Sequence, residues 1–89
     1  MIAKQRENLR ILILTALDSS KPYAIEIASL RPSLPPAFRA LADSELRAEI
    51  DYLVEKGLAK PEAKRISPEN KQWTITAEGR DFLATEGLA

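Results

Sequence analysis

The chain has 89 residues, no net formal charge at pH 7, and neither cysteine nor histidine. A chain of this length has room for one domain with one hydrophobic core, and we take residues 1–89 as a single domain. Without cysteine or histidine there is no disulfide, no thiolate nucleophile, no imidazole base and no usual zinc ligand. Zero net charge also means that any attraction for nucleic acid must come from a local basic patch.

Catalysis and membrane insertion find no support in the residue pattern. The serines have no histidine to activate them, and the three glycines are too far apart to form a phosphate-binding loop. We therefore expect no enzyme, no catalytic residues, no metal and no cofactor. The apolar run at residues 9–17 is too short to cross a bilayer and lacks a signal-peptide cleavage pattern, so a cytoplasmic location is the default.

The first predicted element is a helix over residues 3–18. Its core-facing stripe has helical spacing and consists of Ile2, Leu9, Leu12, Ile13, Ala16 and Leu17. Ile11 and Leu14 project from the opposite side, so the helix is apolar on two faces. Two explanations stay open for this second face. Either the C-terminal segment covers it, or Ile11 and Leu14 form the interface of a homodimer.

The middle of the chain is interrupted by turn-forming residues. Residues 18–22 end the first helix, and residues 24–30 are typical of a short second helix. Prolines at positions 32, 35 and 36 end that helix, because each disfavours the helical conformation of the residue before it. We expect one helical turn at residues 37–41.

The third predicted helix spans residues 44–56 and is the clearest element in the sequence. Asp43 has the side chain of a good N-cap, and Gly57 stands where a glycine commonly ends a helix. The predicted buried stripe is formed by Leu46, Ile50, Leu53 and Val54.

The pattern after Leu58 predicts a β-hairpin. Residues 64–67 form the first arm, residues 68–70 the turn and residues 72–75 the second arm, where Trp73 and Ile75 alternate with polar residues. Thr76 is placed to cap a last short helix that includes Phe82 and Leu83.

Two segments resemble those of the winged helix-turn-helix superfamily. Residues 46–58, LRAEIDYLVEKGL, resemble a leucine-rich recognition helix ending in glycine, and residues 73–83, WTITAEGRDFL, resemble the exit from the wing in MarR-type and PadR-type regulators. The resemblance covers residues 9–83. It implies a mainly α fold with a small β-hairpin wing at about residues 58–76. A looser similarity, in size and C-terminal pattern, is to small winged-helix proteins of Mu-like phages and prophages.

The resemblance also implies where DNA would bind. In this superfamily the third helix enters the major groove and the wing touches the DNA backbone or the minor groove. Base contacts are then expected from Ser44, Arg47 and Ala48 at the start of the third helix. The hairpin has a local excess of positive charge, and its phosphate clamp would consist of Lys64, Arg65 and Lys71. The alternative for the hairpin is an ordinary solvated charged surface.

The third helix departs from this pattern in its charge. Residues 43–57 contain five acidic and two basic residues, a local net charge of −3, which DNA phosphates would repel. Two functions therefore remain. The chain is a transcriptional regulator or phage accessory protein that binds double-stranded DNA as a homodimer. Alternatively, it is a winged-helix module that contacts a protein partner and does not bind DNA through its acidic helix.

Overall fold

The computed structural model describes residues 2–62 and 71–87. Five helices and a two-stranded antiparallel sheet follow one another in this part of the chain. In chain order they are α1 (Ala3–Ser19), α2 (Ile27–Leu30), which continues into a 3-10 turn (Arg31–Ser33), α3 (Pro36–Arg39), α4 (Asp43–Glu55), β1 (Ala59–Glu62), β2 (Gln72–Ile75) and α5 (Ala77–Thr85). No helix in these ranges combines the length and the apolarity needed to span a membrane.

Helix α1 extends over the predicted residues and one residue beyond them. Leu9, Ile13, Ala16 and Leu17 are buried as predicted, and Leu12 is partly buried. Ile2 is 65% exposed, so the prediction that it faces the core is wrong. Leu14 is also buried, at 1% exposure, because α5 and the end of α4 pack beside α1. Of the two explanations for the second face, cover by the C-terminal segment therefore holds for Leu14, and the alternative that Leu14 forms a dimer interface is wrong. Ile11 remains partly exposed.

The segment between α1 and α4 is less helical than predicted. Ile25 is extended and exchanges two backbone hydrogen bonds with Trp73, of 3.0 and 2.9 Å, so α2 begins only at Ile27. The helical turn expected at residues 37–41 is α3, and it begins one residue earlier, at Pro36. Proline is tolerated there because the first residue of a helix has no hydrogen-bonded amide to lose.

Helix α4 confirms the third predicted helix and most of its buried stripe. Leu46, Ile50 and Leu53 are at most 2% exposed, whereas Val54 is only partly buried. The N-cap is Ala42, and Asp43 is the first helical residue, so the predicted cap is wrong by one position. The backbone amide of Ala42 donates instead to the Glu45 carboxylate, at 3.3 Å. The carboxylate of Asp43 pairs with Arg31.

Gly57 ends α4 as predicted, with a φ of 77° that side chains with a Cβ rarely adopt. The amide of Leu58 then donates to the carbonyl of Leu53 at 2.9 Å, the hydrogen bond of a Schellman cap. This cap directs the chain straight into β1.

The first arm of the hairpin is Ala59–Glu62, nearer to α4 than predicted. It pairs with β2 from Ala59 opposite Ile75 to Glu62 opposite Gln72. The predicted first arm at 64–67 and the turn at 68–70 lie outside the described residues. The second arm is confirmed, with Trp73 and Ile75 at most 5% exposed.

Helix α5 confirms the last predicted element and its cap. The hydroxyl oxygen of Thr76 accepts a hydrogen bond from the amide of Gly79 at 3.0 Å and donates one to the carbonyl of Gly57 at 2.6 Å. Thr76 therefore joins the start of α5 to the end of α4. Leu83 is buried in the core and Phe82 is packed against its edge.

Candidate nucleic-acid interface

The exposed side of α4 brings together the three residues expected to contact bases. Ser44, Arg47 and Ala48 are all exposed, and together with Asp43 and Asp51 they line one shallow depression. Positions 44, 47, 48 and 51 follow the three- and four-residue spacing of one helix face. The opposite side of the helix carries Leu46, Ile50 and Leu53 into the core. Because the opposite side of α4 packs into the core, this depression faces the solvent.

Three of the five acidic residues in α4 have partners within the fold. Asp43 pairs with Arg31, and Glu45 accepts a hydrogen bond from the helix N-terminus. Glu49 is only 9% exposed and forms ion pairs with Arg10 Nε at 2.9 Å and Arg6 Nε at 3.3 Å. In the described ranges, no hydrogen bond or ion pair is found for the carboxylates of the other two, Asp51 and Glu55.

The pairing of Glu49 was missed at the level of sequence, although a signal was present. Glu49 follows Leu46 by three residues and precedes Leu53 by four, so it occupies a position of the buried stripe. Arg6 and Arg10 are one helical turn apart and approach this carboxylate from the same side of α1. The Arg10 guanidinium also stacks on the ring of Tyr52, 3.6 Å from its centroid. Both arginines are thus engaged with α4.

The wing is described only at its base. Lys71 is exposed immediately before β2, and Lys60 is exposed on β1. Lys64 and Arg65, the other two residues of the expected phosphate clamp, lie outside the described residues. The clamp therefore stays a prediction. Lys60 also lines a depression of about 240 Å³ with Lys21, Arg80 and the acidic Glu62, a grouping that the sequence did not indicate because its members come from separate segments. Lys21 is paired there with Asp18, at 3.1 Å.

A larger groove of about 550 Å³ lies between α1, the end of α4 and α5. Its apolar lining includes Ile11, Leu14, Leu53, Leu58 and Phe82. Ile11 also borders a second depression on α1 that reaches the exposed side chain of Ile2. The structure thus separates the two residues of the predicted dimer face, because Leu14 lies at the buried floor and Ile11 at the accessible edge.

The described residues do not form a candidate metal site. Within residues 2–62 and 71–87, no three acidic side chains come together as a set that would hold a metal ion.

Comparison with known proteins finds a likeness in fold. No protein-family model matches the chain, and the search of curated proteins finds no match. Among solved structures, the chain is similar to BpsR of Bordetella bronchiseptica, a protein whose DNA binding is regulated by 6-hydroxynicotinic acid. The TM-score is 0.70 and the identity 16%, over 96% of this chain and 52% of BpsR. The chain has a winged helix-turn-helix fold. It spans about half the length of the BpsR chain, and at this identity the likeness establishes the fold alone.

In this winged-helix fold, α4 is the helix directly before the strands β1 and β2, which form the base of the wing. The extended residue Ile25, paired with Trp73, attaches the segment before α2 to the same sheet. The helix-turn-helix unit runs from α2 to α4. The depression at Ser44, Arg47, Ala48 and Asp51 lies on the exposed side of α4.

Proposed function

We propose that the chain is a DNA-binding regulator that inserts α4 into the major groove. The observation that carries this proposal is the grouping of Ser44, Arg47 and Ala48 on the exposed first half of α4. Recognition helices commonly use their N-terminal residues to contact base edges. The likeness in fold to BpsR supports the proposal, since BpsR binds DNA.

The internal partners of the acidic residues weaken the electrostatic objection to this function. Glu49 lies among two arginines, and Asp43 is paired with Arg31, so neither acts as an isolated negative charge at the groove. Glu45 lies in the first turn, where the helix dipole favours a carboxylate. The charges of residues 43–57 without an oppositely charged partner among the described residues are Glu45, Asp51 and Glu55 against Arg47 and Lys56, so the local net charge falls from −3 to −1.

The rest of the proposed assembly follows the sequence pattern. Lys64, Arg65 and Lys71 of the wing bind backbone phosphates, and the accessible edge at Ile11 takes part in pairing two copies of the chain. A phage accessory role belongs to the same proposal, as one setting in which a small DNA-binding protein of this kind acts.

A titration of fluorescently labelled random-sequence duplex tests the proposal. We expect binding at low salt, with log affinity falling by about 0.9 for each phosphate contact per unit of log salt. Arg47→Ala is expected to weaken binding. Lys4→Ala removes an equal charge from the depression beside Ile2 and Ile11, and is expected to leave binding unchanged. No binding at protein concentrations of about 100 µM, beyond typical non-specific affinity, would refute the proposal and favour a protein-binding module.

A further inference from the structure

Asp51 is an acidic residue at the C-terminal end of the proposed DNA-reading surface. It is exposed and lines the same depression as Arg47 and Ala48. Asp43 also lines this depression, but its carboxylate pairs with Arg31. Glu45 and Glu49 have partners in the fold, and Glu55 ends the helix without lining the depression. Asp51 thus lines the depression without an ion pair or hydrogen bond to the described residues, which leaves its carboxylate available to a base in the groove.

The chemistry of the major groove limits what a carboxylate can bind. It accepts hydrogen bonds only, and the base-edge donors in that groove are the N4 amino group of cytosine and the N6 amino group of adenine. The adenine donor lies beside the N7 acceptor, which repels a carboxylate, whereas cytosine presents no second acceptor there. An aspartate at this position therefore selects cytosine.

Arg47 supplies the complementary half of the contact. Arginine binds guanine through the paired acceptors O6 and N7, the commonest specific contact in protein–DNA complexes. Arg47 and Asp51 are four residues apart on one face of α4, a rise of about 6 Å. Because bases stack about 3.4 Å apart along a strand, the two side chains reach bases about two steps apart. The small side chain of Ala48 lies between them on this face.

We propose that α4 recognises a G·C-rich site in which Arg47 binds a guanine and Asp51 accepts a hydrogen bond from the N4 amino group of a cytosine about two base pairs away. This inference rests on the proposed DNA-binding function and deepens it by naming the bases and the side chains that select them. The double-stranded DNA site is then recognised partly through the carboxylate of Asp51, so an acidic residue of α4 contributes to base specificity.

Selection from a pool of random duplexes tests the inference, with three proteins compared. The wild type is expected to enrich guanine at one position and cytosine at another. Asp51→Asn is expected to replace that cytosine with adenine, because an asparagine amide matches the N6 and N7 atoms of adenine. Glu55→Gln is the matched control, since it removes the same charge from the same helix outside the depression, and it is expected to retain cytosine.

Direct titration then measures the change on two duplexes that differ only at this base pair. The wild type is expected to prefer cytosine by about tenfold, and Asp51→Asn to prefer adenine by a similar factor. If the wild type binds duplex but Asp51→Asn selects the same base, the inference is overturned while DNA binding stands. If none of the three proteins binds any duplex, although circular dichroism shows that all are folded, both the inference and the proposed function fail.

Discussion

Gly79 gives the sharpest test of how α5 meets the hairpin, because two physical effects of replacing it by alanine have opposite signs. In an isolated helix, Gly→Ala stabilises by about 1 kcal/mol. In this fold, a Cβ at position 79 would overlap the carbonyl oxygen of Leu58 and lie 2.6 Å from Cγ1 of Ile75. The Leu58 oxygen also accepts a hydrogen bond from the amide of Thr76 at 3.1 Å, so it cannot withdraw without disturbing the start of α5.

The steric effect is the larger of the two. Overpacking a tight contact costs about 1–3 kcal/mol and occasionally more, and contact with a backbone atom belongs at the upper end. After the gain in helix propensity, we expect Gly79→Ala to lower the free energy of unfolding by about 2 kcal/mol. For a domain of this size that is a fall of about 8–16 °C in the thermal midpoint.

Thermal and urea unfolding followed by circular dichroism measure this effect. Ala84→Gly, on the exposed side of the same helix, is the matched control and is expected to lose only about 1 kcal/mol, in line with propensity alone. If Gly79→Ala has the midpoint of the wild type or a higher one, α5 does not approach Leu58 as closely as described, and the argument is wrong.

Four further predictions concern the core, the ion pairs, assembly and the wing. Leu53→Ala is expected to cost about 2–4 kcal/mol in urea unfolding, because Leu53 is 2% exposed at the centre of the core; an unchanged midpoint would contradict the packing of α4. Glu49→Gln is expected to cost about 1–2 kcal/mol, since two arginines lose their ionised partner, and this loss should shrink when both arginines are replaced by glutamine. Ile11→Glu is expected to convert a dimer into a folded monomer in sedimentation; a wild type that is monomeric at high concentration refutes the dimer. Replacing Lys64 and Arg65 with alanine is expected to weaken binding to all duplexes and to reduce the salt slope by about two units, and an unchanged slope would exclude both from the phosphate contacts.

Local chemistry was sufficient to predict several elements. The spacing of Leu46, Ile50 and Leu53 located α4, the alternation at Trp73 and Ile75 located β2, and the hydroxyl of Thr76 located the start of α5. Each of these signals depends on residues within one or two turns of the element that they define, so no distant part of the chain is needed to interpret them.

The sequence misled wherever a distant partner decides the outcome. Residues 59–62, AKPE, have little intrinsic preference for a strand, yet they form β1 because β2 supplies the hydrogen bonds and Pro61 is accommodated at the edge of the sheet. For Leu14 the sequence left cover by the C-terminal segment and a dimer interface both open, and the packing of α5 decides for the first. Charge counting also included Glu49 as an unpaired charge, because its arginine partners are 39 and 43 positions earlier in the chain.

The sequence by itself determined the order of helices and hairpin and the helix that presents Ser44, Arg47 and Ala48, since apolar periodicity and capping residues carry that information locally. The winged-helix class came from the resemblance of residues 46–58 and 73–83 to that superfamily. Only the tertiary structure decided which charges face the exterior of that helix. A carboxylate has the same formal charge wherever it lies, and its effect on DNA depends on whether the fold brings a guanidinium to it. The packing of α1 against α4 brings two arginines to Glu49, whereas none of the described cations lies within ion-pair distance of Asp51. Glu49 therefore stabilises the contact between the two helices, and Asp51 is the acidic residue proposed to read DNA.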